Sequence, residues 1–169
     1  MDKPSKTASG SSLYERDFFA WTQEQARAVE EGRWPDIDAA NVAEELRSLG
    51  RVLRREIEER LEILLSYLLK WRQLAEYRGF AWKENIDRQR RELADLVADN
   101  PSLVSLARDA VAEVYDDARR RLKYETSFFV NDFPASCPFS VDEIFDKDYF
   151  PEELDAPATG RFPTARSIG

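Results

Sequence analysis

The sequence contains no histidine among its 169 residues. This absence excludes a histidine general base, a catalytic triad that uses histidine and a metal site with imidazole ligands. One cysteine, Cys137, is too few for an intrachain disulfide or a zinc site built from several thiolates. The six glycines are isolated from one another, so no glycine-rich loop can cradle a phosphate group. We therefore assign no catalytic residue, no metal ligand and no cofactor site.

Basic residues are also in deficit, because 33 acidic and 25 basic residues give a formal charge of -8. Residues 1–46 carry 10 acids and 5 bases, a charge of -5, and residues 126–169 carry 8 acids and 3 bases, again -5. The middle of the chain has 15 acids and 17 bases, a charge of +2. Nucleic-acid-binding proteins usually carry a basic surplus. The acidic net charge therefore disfavours a nucleic acid partner but does not exclude one.

Long apolar runs are missing as well, since no stretch of about 18 apolar residues occurs. The polar opening residues lack the apolar centre of a secretory signal. We therefore expect a cytoplasmic protein with no membrane span. With 43% hydrophobic residues, the chain can bury a core. We expect one helical domain over residues 12–155, a disordered lead-in over residues 1–11 and a loose tail over residues 156–169.

Apolar residues at helical spacing predict three helices of ordinary length. The first begins at a capping box formed by Ser12 and Glu15 and ends at Gly32. Its inward positions are Tyr14, Phe18, Trp21, Gln25 and Val29. Another runs from about Phe80 to Ala98, and the next begins with Asn100 as cap and Pro101 in its first turn.

A fourth, longer helix is predicted from about Asp38 to about Glu76. Its apolar positions keep their angular phase past Gly50, as shown by Val42, Leu46, Leu49, Leu53, Ile57, Leu61, Leu64, Leu68 and Trp71. After Arg60 the helix is apolar nearly all round, so this half should lie at the centre of the domain. The half before Glu59 should be an arm with one covered face, and a close helix crossing would explain Gly50.

The segment from Thr126 to Phe150 lacks helical periodicity and contains six of the ten phenylalanines. Ser140 and Glu143 form a capping box that predicts one short helix there, with Phe139 packed on Ile144. The predicted fold is therefore all-α. It is a bundle of four main helices around one long central helix, with a short helix and an irregular aromatic C-terminal segment.

Several segments, taken in order, resemble a bacterial family of unknown function, domain-of-unknown-function family number twenty-nine. The segments that carry the resemblance are Leu13–Trp21, Asn41–Gly50, Leu68–Trp71, Trp82 with Gln89–Arg91, and Phe133–Ser140. The resemblance spans about residues 13–151 and implies an all-helical bacterial protein with no assigned activity. The resemblance further implies that other members often carry histidine where this chain has Tyr67, and tyrosine where it has Phe139.

Cations cluster at two places in the helices that follow the long one. They are Arg88, Arg90, Arg91, Arg119, Arg120, Arg121 and Lys123. If those two helices pair antiparallel, the clusters approach each other and could form an anion- or RNA-binding surface. The simpler interpretation is that they solvate the outer face and complement a helix C-terminus.

Two groups of acids admit a cation-binding interpretation. Glu44 and Glu45 lie near the start of the long helix, where acids complement the helix dipole. Asp142, Glu143, Asp146 and Asp148 lack the spacing and the glycine of a calcium loop. Helix capping and solvated surface explain both groups better than a metal site does. A thiol at Cys137 has no histidine to activate it and is best explained as a structural residue.

These observations favour a non-catalytic protein-interaction or adaptor module of a bacterial cytosol. Its partner would be another protein or a second copy, bound through the first half of the long helix, from about Ala40 to Glu59. The alternative is an RNA- or anion-binding regulator that uses the arginine clusters. A carboxylate- or metal-dependent enzyme is the least favoured hypothesis.

Overall fold

The computed structural model of the chain describes residues 13–125 and 132–152. Throughout this part of the chain the regular structure is helical, with no strand. The α-helices, labelled in chain order, are α1 (Phe18–Glu30), α2 (Ala39–Gln73), α3 (Phe80–Asp99), α4 (Leu103–Glu125) and α5 (Val141–Phe145). Residues 13–16 form a further helical turn. The predicted all-α class, with four main helices and a short one, is confirmed.

The chain divides into two compact units, and the boundary between Leu53 and Arg54 falls inside α2. The first unit contains α1 and the first half of α2. The second unit contains the second half of α2 and the helices that follow it. A single domain over residues 12–155 stays a prediction, and the expected lead-in (1–11) and tail (156–169) lie outside the described residues.

The long helix α2 continues through Gly50 without a break, as its apolar phase predicted. The expected close crossing at Gly50 is wrong, because a Cβ added there would have no heavy atom within 4 Å. A glycine inside a helix costs about 1 kcal/mol relative to alanine. No contact among the described residues therefore explains why a glycine stands at this position.

The second half of α2 lies at the centre of the second unit, which confirms the predicted core. Leu64 is 0% exposed, and the neighbouring leucines on several sides of the helix are equally inaccessible. The buried residues of this half are Ile57, Leu61, Leu64, Leu65, Leu68 and Leu69, and those of α3 and α4 in the same unit include Ile86, Leu93, Val114, Ala118 and Leu122. A helix apolar on every side is stable only when other elements surround it.

Helix α1 begins later than predicted. Asp17 interrupts the helical path after residues 13–16 and caps α1, since its carboxylate accepts a hydrogen bond from the Ala20 amide at 2.9 Å. This bond satisfies one of the free amides of the first turn. The predicted cap, Ser12, lies outside the described residues. Gly32 follows the helix in the left-handed region, with φ of 67°, as predicted.

Helix α4 also begins later than predicted. The Asn100 amide donates to the Leu96 carbonyl at 3.0 Å, so Asn100 ends α3. Its own carbonyl accepts from the Leu103 amide at 2.9 Å, and Pro101 lies in the turn between the helices. Asn100 therefore ends α3, whereas the sequence predicted that it caps α4.

The described residues after α4, 132–152, are held on the helices by hydrogen bonds and by their aromatic rings. Phe133 and Phe139 are both buried, as predicted for this segment. The Tyr115 hydroxyl of α4 donates to the Pro134 carbonyl at 2.9 Å. The predicted capping box is present, since the Ser140 hydroxyl accepts from the Glu143 amide at 3.2 Å and the Glu143 carboxylate accepts from the Ser140 amide at 2.7 Å.

The Tyr115 hydroxyl should make stability depend on alkaline pH. Burial raises the pKa of Tyr115 to about 12, whereas an unfolded tyrosine ionises near pH ~10. The unfolded state therefore loses its proton first, and the contribution of Tyr115 is complete below pH ~10 and declines as the pH rises toward 12. We expect Tyr115→Phe to cost about 1 kcal/mol near neutral pH, the usual worth of one hydrogen bond.

Denaturant unfolding of the two proteins from pH ~8 to pH ~12 measures this effect. The advantage of the wild-type protein over Tyr115→Phe should shrink over the upper part of that range. A difference that stays constant with pH would show that Tyr115 is not held protonated by the fold.

Candidate functional site

Arg90, one of the predicted surface cations, is instead buried in the second unit. Its side chain is 4% exposed and lies on α3. The guanidinium donates from Nε to the Ile144 carbonyl at 2.9 Å, from Nη1 to the Tyr149 carbonyl at 2.8 Å and from Nη2 to the Glu143 carbonyl at 3.1 Å. Burial lowers the pKa of Arg90. Arg90 thus fastens the segment around α5 to α3.

Arg119 is buried as well and has a similar structural task. Its Nη1 donates to the Asp116 carboxylate at 3.0 Å and to the Ala135 carbonyl at 3.4 Å. Its guanidinium also lies 5.8 Å from the centre of the Tyr115 ring. Together with the Tyr115 hydroxyl, this arginine fixes Pro134 and Ala135 on α4.

The other members of the predicted patch are exposed, and several are already paired. Arg120 pairs with Asp117. Arg121 pairs with Glu125 at 2.9 Å and with Glu62 at 3.1 Å. These carboxylates raise the pKa of both arginines. The remaining exposed cations are Arg88, Arg91 and Lys123. Anion or RNA binding by this group stays a prediction, and local acids neutralise part of its charge.

A cavity of ≈ 390 Å³ opens between the C-terminal half of α3, the first turns of α4 and α5. Its apolar lining is made by Leu93, Ala94, Val97, Ala98, Val104 and Phe145. Two cations, Arg90 and Arg108, complete the lining. Arg108 donates to the Asp142 carboxylate at 3.2 Å across an exposed salt bridge. Sequence reasoning missed this cavity, because its walls come from three separate elements.

The acidic residues singled out in the sequence serve local structure. Glu143 belongs to the capping box of α5, and Asp142 pairs with Arg108. Near the start of α2, Glu45 accepts a hydrogen bond from the Tyr14 hydroxyl. Within residues 13–125 and 132–152, no group of three or more His, Cys, Asp or Glu side chains is placed to hold a metal ion.

The single cysteine is half-buried beside α5. The Cys137 thiol donates to the Phe139 carbonyl at 3.5 Å, and burial raises its pKa. A raised pKa leaves less thiolate at neutral pH, which is the opposite of what a nucleophilic or redox-active cysteine needs. The geometry therefore supports the structural interpretation of this residue.

The first unit exposes an unusual share of apolar surface. Eleven large hydrophobic side chains are exposed in the described part of the chain, and seven of them belong to this unit. They are Phe18, Phe19, Val29, Trp34, Leu46, Leu49 and Val52. The buried residues of its described part are Trp21, Gln25 and Ala28. The expected inward positions of Phe18 and Val29 are therefore wrong, since the two residues are 49% and 48% exposed, and α1 buries Ala28 instead.

The first half of α2 contributes an exposed apolar row to this surface. Leu46, Leu49 and Val52 follow one another at intervals of three residues and are 64%, 63% and 58% exposed. We call these three residues the α2 row. Residues three apart are neighbours on a helix surface, so the row is continuous. The expected covered face of this arm is wrong for Leu46 and Leu49, because no described residue covers them.

Comparisons with known proteins give a family and nothing more specific. A family model described as "Domain of unknown function DUF29" matches residues 13–150. No match was found among curated proteins or among solved structures. Across the described residues, no helix combines the length and apolarity that crossing a bilayer requires.

Proposed function

Because the chain belongs to the DUF29 family, whose description assigns no activity, we propose from its own residues that it is a non-catalytic protein-interaction module. We place this module in the cytoplasm, a proposal that agrees with its unpaired cysteine, Cys137. The contact surface in this proposal is the first unit, with the α2 row at its centre.

The observation that carries the proposal is that the first unit buries few residues and exposes many large hydrophobic ones. Three buried residues, with partly buried ones such as Ile37 and Val42, give little burial to offset the ordering of α1 and the first half of α2. Contiguous apolar surface on one side of a unit usually marks a binding surface. A partner that covered the α2 row would supply the missing burial.

The ion-paired charges of the first half of α2 lie away from the α2 row. Glu44 pairs with Arg51 at 2.8 Å and with Arg47 at 3.8 Å, all within α2. At 100° per residue these three side chains lie on the side of the helix opposite Leu49. Glu45 is a charge on the side of the row, where its carboxylate accepts a hydrogen bond from the Tyr14 hydroxyl. The helix is therefore amphipathic, with the Glu44 ion pairs on the side opposite the row.

If the partner is a second copy of the chain, experiments on the purified protein alone can test the proposal. We expect light scattering after size exclusion to show a dimer that dissociates on dilution. Leu46→Asp combined with Leu49→Asp should give a monomer at every concentration, because it places charges in the apolar contact. The helix content of this variant should match the wild type, since both side chains are exposed in the single chain.

Phe80→Asp is the matched control, because Phe80 is 81% exposed and lies in the second unit. This variant should dimerise like the wild type. A wild-type protein that is monomeric at all concentrations would contradict self-association. Equal loss of dimer in the control would contradict the assignment of the surface.

The alternative, an anion- or RNA-binding regulator, has less support from the geometry. Arg90 is buried and donates to backbone carbonyls, Arg119 is buried and pairs with Asp116, and Arg120 and Arg121 are paired with acids. Gel-shift measurements with RNA at increasing salt would reveal such a function through the salt dependence of binding.

A further inference from the structure

The cavity of the second unit combines apolar walls with positive charge. Its volume of ≈ 390 Å³ lies in the range of small-molecule sites, and six of its eight lining residues are apolar. The other two lining residues are Arg90 and Arg108. A pocket of this kind favours a ligand that has an apolar body and one negatively charged end.

Arg90 brings to the cavity a cation that no carboxylate neutralises directly within the described part of the chain. Its three hydrogen bonds go to uncharged carbonyls, and each uses a different nitrogen. A guanidinium has five N–H groups, so these bonds to described residues use three and leave one N–H on each terminal nitrogen. Asp87, Asp146 and Asp148 are close enough to act on its charge only through space.

Arg108 already shows how an anion would be held at the cavity. It donates to Asp142 at 3.2 Å, although 53% of the Arg108 side chain and 88% of the Asp142 side chain are exposed. Such exposed pairs contribute little free energy, so a ligand carboxylate could replace Asp142 without a large loss. The planar guanidinium matches a carboxylate in shape and can bind both of its oxygens.

The acids around the cavity limit the charge that a ligand can carry. Asp142 pairs with Arg108, and Asp146 and Asp148 act through space on the charge of Arg90, so a doubly charged phosphate would meet stronger repulsion than a single carboxylate. We propose that this cavity binds a small monocarboxylate with an aliphatic chain, whose carboxylate contacts Arg108 and Arg90 and whose chain lies against Leu93, Val97 and Val104. This site lies within the second unit and does not depend on the interaction proposed for the first.

Isothermal titration calorimetry of the full chain with sodium octanoate tests the proposal. We expect saturable 1:1 binding of octanoate. Acetate, which lacks the chain, and 1-octanol, which lacks the charge, should each bind at least about tenfold more weakly. Inorganic phosphate should neither bind at comparable concentration nor displace octanoate.

Two variants locate the site, and a third is their control. Arg108→Gln removes an exposed cation and should weaken octanoate binding by about tenfold. Ala98→Phe fills the cavity from an exposed position on α3 and should abolish binding. Arg91→Gln removes an exposed cation of α3 that does not line the cavity, and it should bind octanoate like the wild type.

The remaining outcomes overturn the proposal. Absence of octanoate binding would do so directly. Equal affinity for 1-octanol would show a purely apolar site, and displacement by phosphate would show a simple anion site. Full binding by Ala98→Phe would place the ligand elsewhere. Leu46→Asp combined with Leu49→Asp should retain octanoate binding, so failure of the dimer proposal and failure of this one are distinguishable.

Discussion

Replacement of Leu64 by aspartate is expected to unfold the second unit. Leu64 is 0% exposed at the centre of the second half of α2, where its neighbours are aliphatic. A carboxylate at this position would lose its water without gaining a partner, which costs more than about 4 kcal/mol. Circular dichroism should show loss of helix at a temperature where the wild type is folded.

A graded variant and a control make this result specific. Leu64→Ala should retain the fold and lose about 2–5 kcal/mol of unfolding free energy in denaturant, because it leaves a cavity in the core. Phe80→Asp introduces the same charge at an exposed position and should change stability by no more than about 0.5 kcal/mol. Normal stability of Leu64→Asp would mean that the core of the second unit lies elsewhere.

Replacement of Arg90 by methionine is expected to release the segment around α5. Methionine retains the apolar stem but leaves the carbonyls of Glu143, Ile144 and Tyr149 without their donor. The unpaired carbonyls outweigh the gain from removing a buried charge, so the net loss should be about 2–4 kcal/mol. Denaturant unfolding measures the total loss.

Hydrogen exchange followed by mass spectrometry shows where the loss occurs. Amides of residues 140–150 should exchange much faster in Arg90→Met, whereas those in the second half of α2 should be less affected. Arg91→Met, which alters the exposed neighbour of Arg90, should leave both regions unchanged. Unaltered exchange over residues 140–150 in Arg90→Met would show that this arginine does not hold the segment.

The helices of the second unit could be predicted because their apolar phase is long and regular. The phase of α2 passes Gly50, and the all-round apolar half after Arg60 identified Leu64 as core. The sequence pattern indicated the burial of Arg90 less clearly than that of Leu64. It lies in phase with Ile86 and Leu93, the buried positions of α3, but arginine is rarely buried and exposure was the natural expectation.

Neither the cavity nor the exposure of the α2 row could be predicted from the sequence, and the physical reason is different for each. The cavity depends on where α5 docks, and α5 is fixed by Arg90, whose acceptors lie 53 to 59 residues further along the chain. Local periodicity does not encode such contacts. Leu46 and Leu49 follow the same apolar phase as the core residues, so spacing alone cannot distinguish a covered row from an open one.

The small number of buried residues in the first unit should make its helices unfold locally more often than those of the second unit. With Trp21, Gln25 and Ala28 as the buried residues of its described part, little free energy protects the amides of α1 and the first turns of α2. Transient fraying should then start in this unit, at a lower cost than global unfolding. In a cell, such an opening would expose α1 to proteases, and a partner of the kind proposed for the α2 row would lengthen the life of the chain by keeping this unit closed.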